Sequence, residues 1–413
     1  MRVGLLSQWF DPEPGPASLP GMLARGLARR GHEVRVLTGF PNYPTGRIMS
    51  GYRMSRRLDE FTDGIRIRRV ALYPSHDASA FRRVATYGSF AASALASGVS
   101  ALRGLDAVWV SNSPITVSLP MWFVRHVHRI PVVLHVLDLW PDTVSASGFL
   151  GDGRAHRVVG HCLGGWCQGM YRSATRVAYI SPGVGELLTR RGVPPEKLLY
   201  IPMWADERPP ADGGDLRAAL GLRPDQIALG YAGSLGITQG LETLVDACAL
   251  TSDPRFVCLV AGSGIAEAEL RRRIGSAGVS NIRFLGRLPR ERMPAFLAAC
   301  DVHFVGLRDT AMAPYTMPSK VQTILAAGRA LLIAGVGDAA SVARDSGAGI
   351  VARPDDPQDV ASAIHEVIRL GRGELHALGG RGRRYYLRRF SMESGVSRVE
   401  AALRAAATTG VRR

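Results

Sequence analysis

The stretch IALGYAGSLGITQGLETLVDAC, Ile227 to Cys248, decides how this chain folds. It reads as an apolar strand, a turn of small residues and a helix with one apolar face. The start of the chain repeats the order: RVGLLSQWFDPEPGPASLPGMLARGLARRGHEVRVLT, Arg2 to Thr38, runs strand, loop, helix, strand. A helix start presents unpaired N–H groups and the positive end of its dipole, a setting that suits phosphate. Two such units predict two nucleotide-type α/β domains facing a shared cleft, with a phosphorylated donor on one side and an acceptor on the other.

Outward from these units, strand and helix signals alternate, which implies parallel sheets. Strands are predicted at Val3–Ser7, Glu33–Thr38, Ile65–Arg69, Ala107–Ser111, Val132–Leu137, Arg176–Ile180 and Leu198–Ile201. Helices fall between them at Ser18–Arg30, Val84–Arg103, Pro114–His128, Arg154–Arg172 and Pro182–Arg191. After Pro202 the apolar period lapses in MWADERPPADGGDLRAALGLRPDQ, the best linker candidate. The pattern restarts with strands at Ile227–Ala232, Val257–Ala261, Ile282–Leu285, Val302–Val305, Leu331–Ala334 and Gly349–Val351, separated by helices, and ends in a basic helical tail from Leu375 to Ala407. The expected division is 1–204, a linker 205–226, a second domain 227–385 and a terminal helix 386–413.

Apolar residues make up 46% and charged residues 21% of the 413, as in soluble globular proteins. The formal charge of +16 comes almost wholly from arginine, since Lys197 and Lys320 are the only lysines. Such a balance favours anionic partners: nucleotide phosphates or an anionic membrane surface. Nucleic acid is not expected, because the arginines are scattered and no helix-turn-helix, zinc-finger or RNP-type pattern occurs. The five cysteines form no CxxC pair, and His161, Cys162 and Cys167 have poor spacing for zinc, so free thiols in a reducing cytoplasm are expected. MRVGLLSQWF has no signal-peptide layout. Val84 to Leu102 carries no charge and is long enough to span a bilayer, but its Ala, Ser and Gly content gives little drive for insertion. A buried or interfacial helix is expected, with Arg82, Arg83 and Arg103 suited to anionic lipid.

Gly233, Ser234, Leu235 and Gly236 allow backbone to approach a ligand closely, and Gly262, Ser263 and Gly264 repeat the device after the next strand. Lys320, in MPSKVQTILAAG, stands in the first turn of a helix, where a cation opposes the dipole by about 0.3–1 kcal/mol. An anion held between that helix start and the ammonium reverses the penalty. In HVLDLWPD, His135, Asp138 and Asp142 follow an apolar strand and can bind or polarise an acceptor hydroxyl; the same histidine reads equally well as a core residue. No Gly-x-Ser-x-Gly elbow, Walker loop, zincin or kinase signature occurs.

Taken in order, SQWFDPEPGPAS, RGHEVRVLTGFPNYPTGR, HVLDLWPD, YISPGV, YAGSLGITQGLETLVDA, LVAGSG, IRFLGRL and MPSKVQTILAAG resemble glycosyltransferase family 4, in its branch for bacterial cell-surface polysaccharides of colanic acid and O-antigen type. The resemblance implies the α/β GT-B fold: two Rossmann-like doubly wound domains facing a cleft, with a C-terminal helix crossing back to the N-terminal domain. The C-terminal domain would bind a nucleotide-sugar, usually a UDP-sugar. The N-terminal domain would bind the acceptor, commonly a polyprenyl-diphosphate-linked saccharide at the inner membrane face, with Pro14, Gly15, Pro16, Asn42 and Tyr43 on the acceptor side. Transfer would retain the anomer and need neither metal nor cofactor.

The departures are specific. Where many members carry two glutamates eight residues apart, this chain has Tyr315 and Thr323; where they carry an Arg and a Lys in the glycine turn, it has Ser234 and Gln239. Lys320, Arg287 and the Gly233–Gly236 amides are expected to take over the diphosphate, with Ser319 at the helix start, Gln322 or Thr323 at the ribose and Glu242 at ribose or sugar. His135 would orient sugar or acceptor. Two competing readings are a transferase acting on a soluble natural-product acceptor and a nucleotide-sugar-binding protein without turnover. Donor sugar, linkage and oligomeric state have no marker in the sequence.

Overall fold

A computed structural model describes residues 1–75, 79–142, 154–207 and 211–411, with the side chains of 16, 80, 154–157 and 410–411 outside the description. The chain divides into two units, residues 1–202 with 395–413, and residues 203–394.

The first unit is built on strands β1 (Arg2–Leu6), β2 (Glu33–Gly39), β3 (Arg57–Thr62), β4 (Ile65–Val70), β5 (Ala107–Ser111), β6 (Val132–Val136), β7 (Arg176–Tyr179) and β8 (Leu198–Tyr200). They lie in the order β3-β4-β2-β1-β5-β6-β7-β8, parallel throughout except β3. Every residue of β5 and β6 is buried, because helices cover both faces of a parallel sheet. That is why these strands read as near-continuous apolar runs, interrupted only by Ser111 and His135. β3, RLDEFT, has no such run and was not expected. It is an exposed edge strand held by charge across the ladder, Asp59 to Arg68 at 2.6 Å and Glu60 to Arg69 at 2.5 Å.

The uncharged stretch 84–102 is packed, not lipid-spanning: Phe90, Ala91, Ala94, Val99 and Leu102 are buried. It is also not one regular helix. An α-helix, Ala80–Ser93, widens into a π-turn at Ala94–Gly98 and tightens to 3-10 at Val99–Leu102. The segment packs closely on the sheet: a β-carbon on Gly98 would stand 2.5 Å from the Leu37 side chain, so that position takes glycine. Among the described residues no helix is long and apolar enough to cross a membrane.

The second unit carries β9 (Ile227–Ser234), β10 (Phe256–Ser263), β11 (Ile282–Gly286), β12 (Val302–Gly306), β13 (Ala330–Ala334) and β14 (Gly349–Ala352), all parallel, in the order β11-β10-β9-β12-β13-β14. Ile227, Leu229 and Tyr231 feed one face of the core and Ala228 the other, the period of two that a doubly covered strand requires. Strand order reverses between β9 and β12, as it does between β1 and β5 in the first unit, and ligands in such sheets bind beyond the carboxyl ends at that point. Within the stretch expected as a linker, Gly214–Ala219 forms a short helix. The basic tail is two helices, one ending at Arg389 and the next spanning Met392–Val411. The first is interrupted at Gly371, whose φ of 69° no helix accommodates.

Candidate active site

In the second unit the carboxyl ends of β9, β10 and β11 lie side by side, with Ser234 beside Ser263 and Ala261 beside Gly286. The two glycine turns pack backbone on backbone. A β-carbon on Gly262 would stand 1.9 Å from the Gly233 carbonyl oxygen, and one on Gly264 would stand 2.3 Å from that of Leu235. The Leu235 N–H donates to the Ser263 carbonyl at 3.0 Å. The Gly236 N–H donates to Gln239 Oε1 at 3.1 Å, while Gln239 Nε2 donates to Thr238 Oγ1 at 3.0 Å. The Leu235 and Gly236 amides are therefore engaged within the protein, and Gln239 is folded onto its own turn.

Lys320 comes to this turn from another element. Pro318 precedes the helix Ser319–Ala326 in an extended conformation and gives it no side-chain cap, while its carbonyl accepts the Val321 N–H at 3.0 Å. The Lys320 ammonium donates to the Tyr231 hydroxyl at 3.2 Å, and that hydroxyl donates to the Ser234 carbonyl at 2.6 Å. The ammonium nitrogen lies 4.8 Å from the Tyr231 ring centroid. Among the described residues no carboxylate pairs with Lys320. Burial lowers its pKa to about 8 and raises that of Tyr231 above the ordinary phenol value.

The neighbouring candidates divide. Glu242, in the first turn of the helix Leu241–Ala249, is ion-paired with Arg308 at 3.3 Å. Thr323 donates its hydroxyl to the Ser319 carbonyl at 3.0 Å. Gln322 is buried, and its Oε1 has no partner among the described residues, an acceptor in want of a donor. Arg287 is exposed just past β11. Tyr231 and Arg308 went unseen in the sequence. Tyr231 sits inside an apolar strand, where an aromatic residue signals only core.

In the first unit, Glu13 organises the loops after β1 and β2. It is buried; one carboxylate oxygen accepts the N–H groups of Asn42 and Tyr43, both at 2.8 Å, and the other accepts that of Phe10 at 2.9 Å. Burial raises its pKa against those hydrogen bonds and the nearby Arg69. Trp9 is flanked edge-on by Tyr43 and Tyr87, each with ring centroids 6.4 Å away. Pro14 is half-buried and Gly15 exposed at a φ of 65°; the side chain of Pro16 lies outside the described residues.

His135 is 2% exposed, with its ring 4.9 Å from that of Trp109 and Nε2 without a partner among the described residues. Burial drops its pKa to about 3, so the imidazole is neutral. Asp138 is half-buried and accepts a short hydrogen bond from Ser113, with its pKa raised by burial. Asn112 fixes the same loop, its Oδ1 accepting the Leu137 N–H at 2.8 Å and its Nδ2 donating to the Asp138 carbonyl at 2.8 Å. Asp142 pairs with Arg191. Cys162 is exposed and the other four cysteines are buried and free.

Residues 15–204 match the family described as Glycosyl transferase 4-like domain, and residues 226–369 match Glycosyl transferases group 1. The chain is 27% identical over 335 residues to the putative colanic acid biosynthesis glycosyl transferase WcaI of Escherichia coli, covering 79% of this chain and 82% of that one. It is 26% identical over 434 residues to the D-inositol 3-phosphate glycosyltransferase of Geodermatophilus obscurus, covering 98% and 90%. Among solved structures, HepE of Anabaena in complex with UDP superposes with a TM-score of 0.71 at 17% identity, covering 98% of this chain and 100% of that one.

Proposed function

Since this chain belongs to the family 4 glycosyltransferases of GT-B fold, we propose that it moves a sugar from a UDP-sugar to a hydroxyl of a lipid-linked saccharide, with retention at the anomeric carbon and without a metal. The observation that carries the donor side is Lys320, a half-buried ammonium with no carboxylate partner among the described residues, set against a glycine turn at the carboxyl end of β9. UDP in HepE and the similarity to WcaI support the same donor class and an envelope polysaccharide as product.

The chemistry asks for stabilisation of the departing diphosphate as the anomeric C–O bond breaks. A preorganised ammonium and helix-start amides supply it best where water is scarce. A donor phosphate oxygen takes the proton of the incoming hydroxyl on the same face of the sugar, so no protein nucleophile is required. Gln322 serves the ribose. Trp9, Tyr43 and Asp138 offer the first unit's aromatic and carboxylate surface to the acceptor. Phe81 and Val84, 81% and 67% exposed on one face of the helix Ala80–Ser93 beside Arg82 and Arg83, suit an anionic membrane surface at the place where a lipid-linked acceptor resides.

A soluble phosphorylated acceptor is the second reading, favoured by the relatives named for D-inositol 3-phosphate. The test is product formation by the full chain with a panel of UDP-sugars, offered either a polyprenyl-diphosphate saccharide in anionic vesicles or inositol phosphate in solution. Transfer to the lipid-linked saccharide alone is expected. Transfer to inositol phosphate alone would replace it with the second reading, and turnover only with GDP- or dTDP-sugars would overturn the donor assignment.

A further inference from the structure

We infer that Tyr231 is the positioning residue that holds the Lys320 ammonium on the glycine turn and leaves two of its protons for a diphosphate; this rests on the donor reading above. Hydrogen-bond accounting fixes the polarity. A phenol has one proton, and the Ser234 carbonyl takes it at 2.6 Å. The 3.2 Å contact with Lys320 can then run only one way, ammonium to phenol oxygen. An ammonium has three protons, and among the described residues this is the hydrogen bond Lys320 makes. Two protons stay uncommitted.

The ring adds a second restraint, since Nζ lies 4.8 Å from its centroid, within cation–π range. Tyr231 is fully buried, so its own position is set by core packing. The Ser234 carbonyl at the other end of the relay belongs to the turn itself. The cation is thus tied through one phenol to the backbone of the glycine turn. Ser234 and Gln239, within the turn, bring no charge of their own. The charge comes from the helix Ser319–Ala326, and its placement from the tyrosine beneath.

Calorimetry of the full chain with UDP and UMP, on wild type, Tyr231→Phe and Lys320→Met, tests this. Wild type is expected to prefer UDP. Tyr231→Phe is expected to keep UMP binding and lose about tenfold in UDP affinity. Lys320→Met should abolish the preference. A second readout exploits the two lysines: competitive acetylation with acetic anhydride, read by mass spectrometry of the Lys320 peptide, gives its titration curve. Losing the phenol acceptor should move that curve to lower pH. A Tyr231→Phe protein with the wild-type UDP-to-UMP ratio and an unmoved curve overturns the positioning role. A wild type that binds neither nucleotide overturns the donor reading instead. Should Tyr231→Phe not fold, wild-type Lys320 acetylated equally with and without UDP sinks the inference.

Discussion

A β-carbon at position 233 would stand 3.2 Å from the ammonium nitrogen of Lys320, so Gly233 is the residue that leaves the lysine its seat. Its φ of 147° disfavours any side chain as well. Gly233→Ala is expected to lower stability by about 1–2 kcal/mol and UDP affinity by about tenfold. Urea unfolding and nucleotide calorimetry read the two effects. Unchanged UDP binding in a folded Gly233→Ala protein would separate the turn from the donor site.

On the proposed donor reading, Lys320 meets the diphosphate as the ammonium, and burial has lowered its pKa to about 8. UDP affinity should therefore fall as pH rises through 8. At pH 8 binding should take up a fraction of a proton, because the anion restores the charged form. Calorimetry in buffers of different ionisation enthalpy measures that uptake. Lys320→Arg should flatten the fall, since guanidinium stays charged throughout. A wild-type affinity independent of pH from 7 to 9 contradicts the assignment.

His135 and His303 are both buried and neutral, with pKa values pushed down to about 3 and about 4 from an ordinary 6.5. The unfolded chain takes up protons below 6.5 that the folded chain refuses. Stability is thus complete above that pH and declines as pH falls. Each histidine is expected to cost about 2 kcal/mol by pH 5. His135→Leu should shallow the acid limb of a stability–pH curve measured by urea unfolding. An unaltered limb would mean that the imidazole is not the group responsible.

Glu13 collects three backbone amides, those of Phe10, Asn42 and Tyr43. Glu13→Ala leaves all three without their acceptor and is expected to destabilise the first unit by about 3 kcal/mol or more. Amide hydrogen exchange should speed up at 42 and 43 first. A melting temperature within one degree of wild type would show that the loops hold without it.

The fold was legible because parallel strands covered on both faces are nearly continuous apolar runs: β5 and β6, buried at every residue and polar only at Ser111 and His135, stand out against the helices between them. β3 was hidden because charge pairs, not apolar contacts, hold an edge strand. Lys320 was visible because a cation at a helix start is electrostatically misplaced. Tyr231 was not, because its role depends on a contact with a residue 89 positions away. The second glycine pair, Gly262 and Gly264, reads in sequence as a ligand loop, yet its lack of side chains is already demanded by the carbonyls of Gly233 and Leu235.

The first unit is discontinuous, residues 1–202 completed by 395–413. Val396, Val399, Leu403 and Ala406 of the last helix are buried, Val396 against Gly26, and Glu400 accepts from Arg30 at 2.7 Å. During synthesis the second unit therefore leaves the ribosome as one uninterrupted piece, while the first waits for the final helix. A nascent or truncated chain lacking that helix exposes an apolar seam along Leu19–Arg29. Proteases and chaperones can read that seam as the mark of an unfinished molecule.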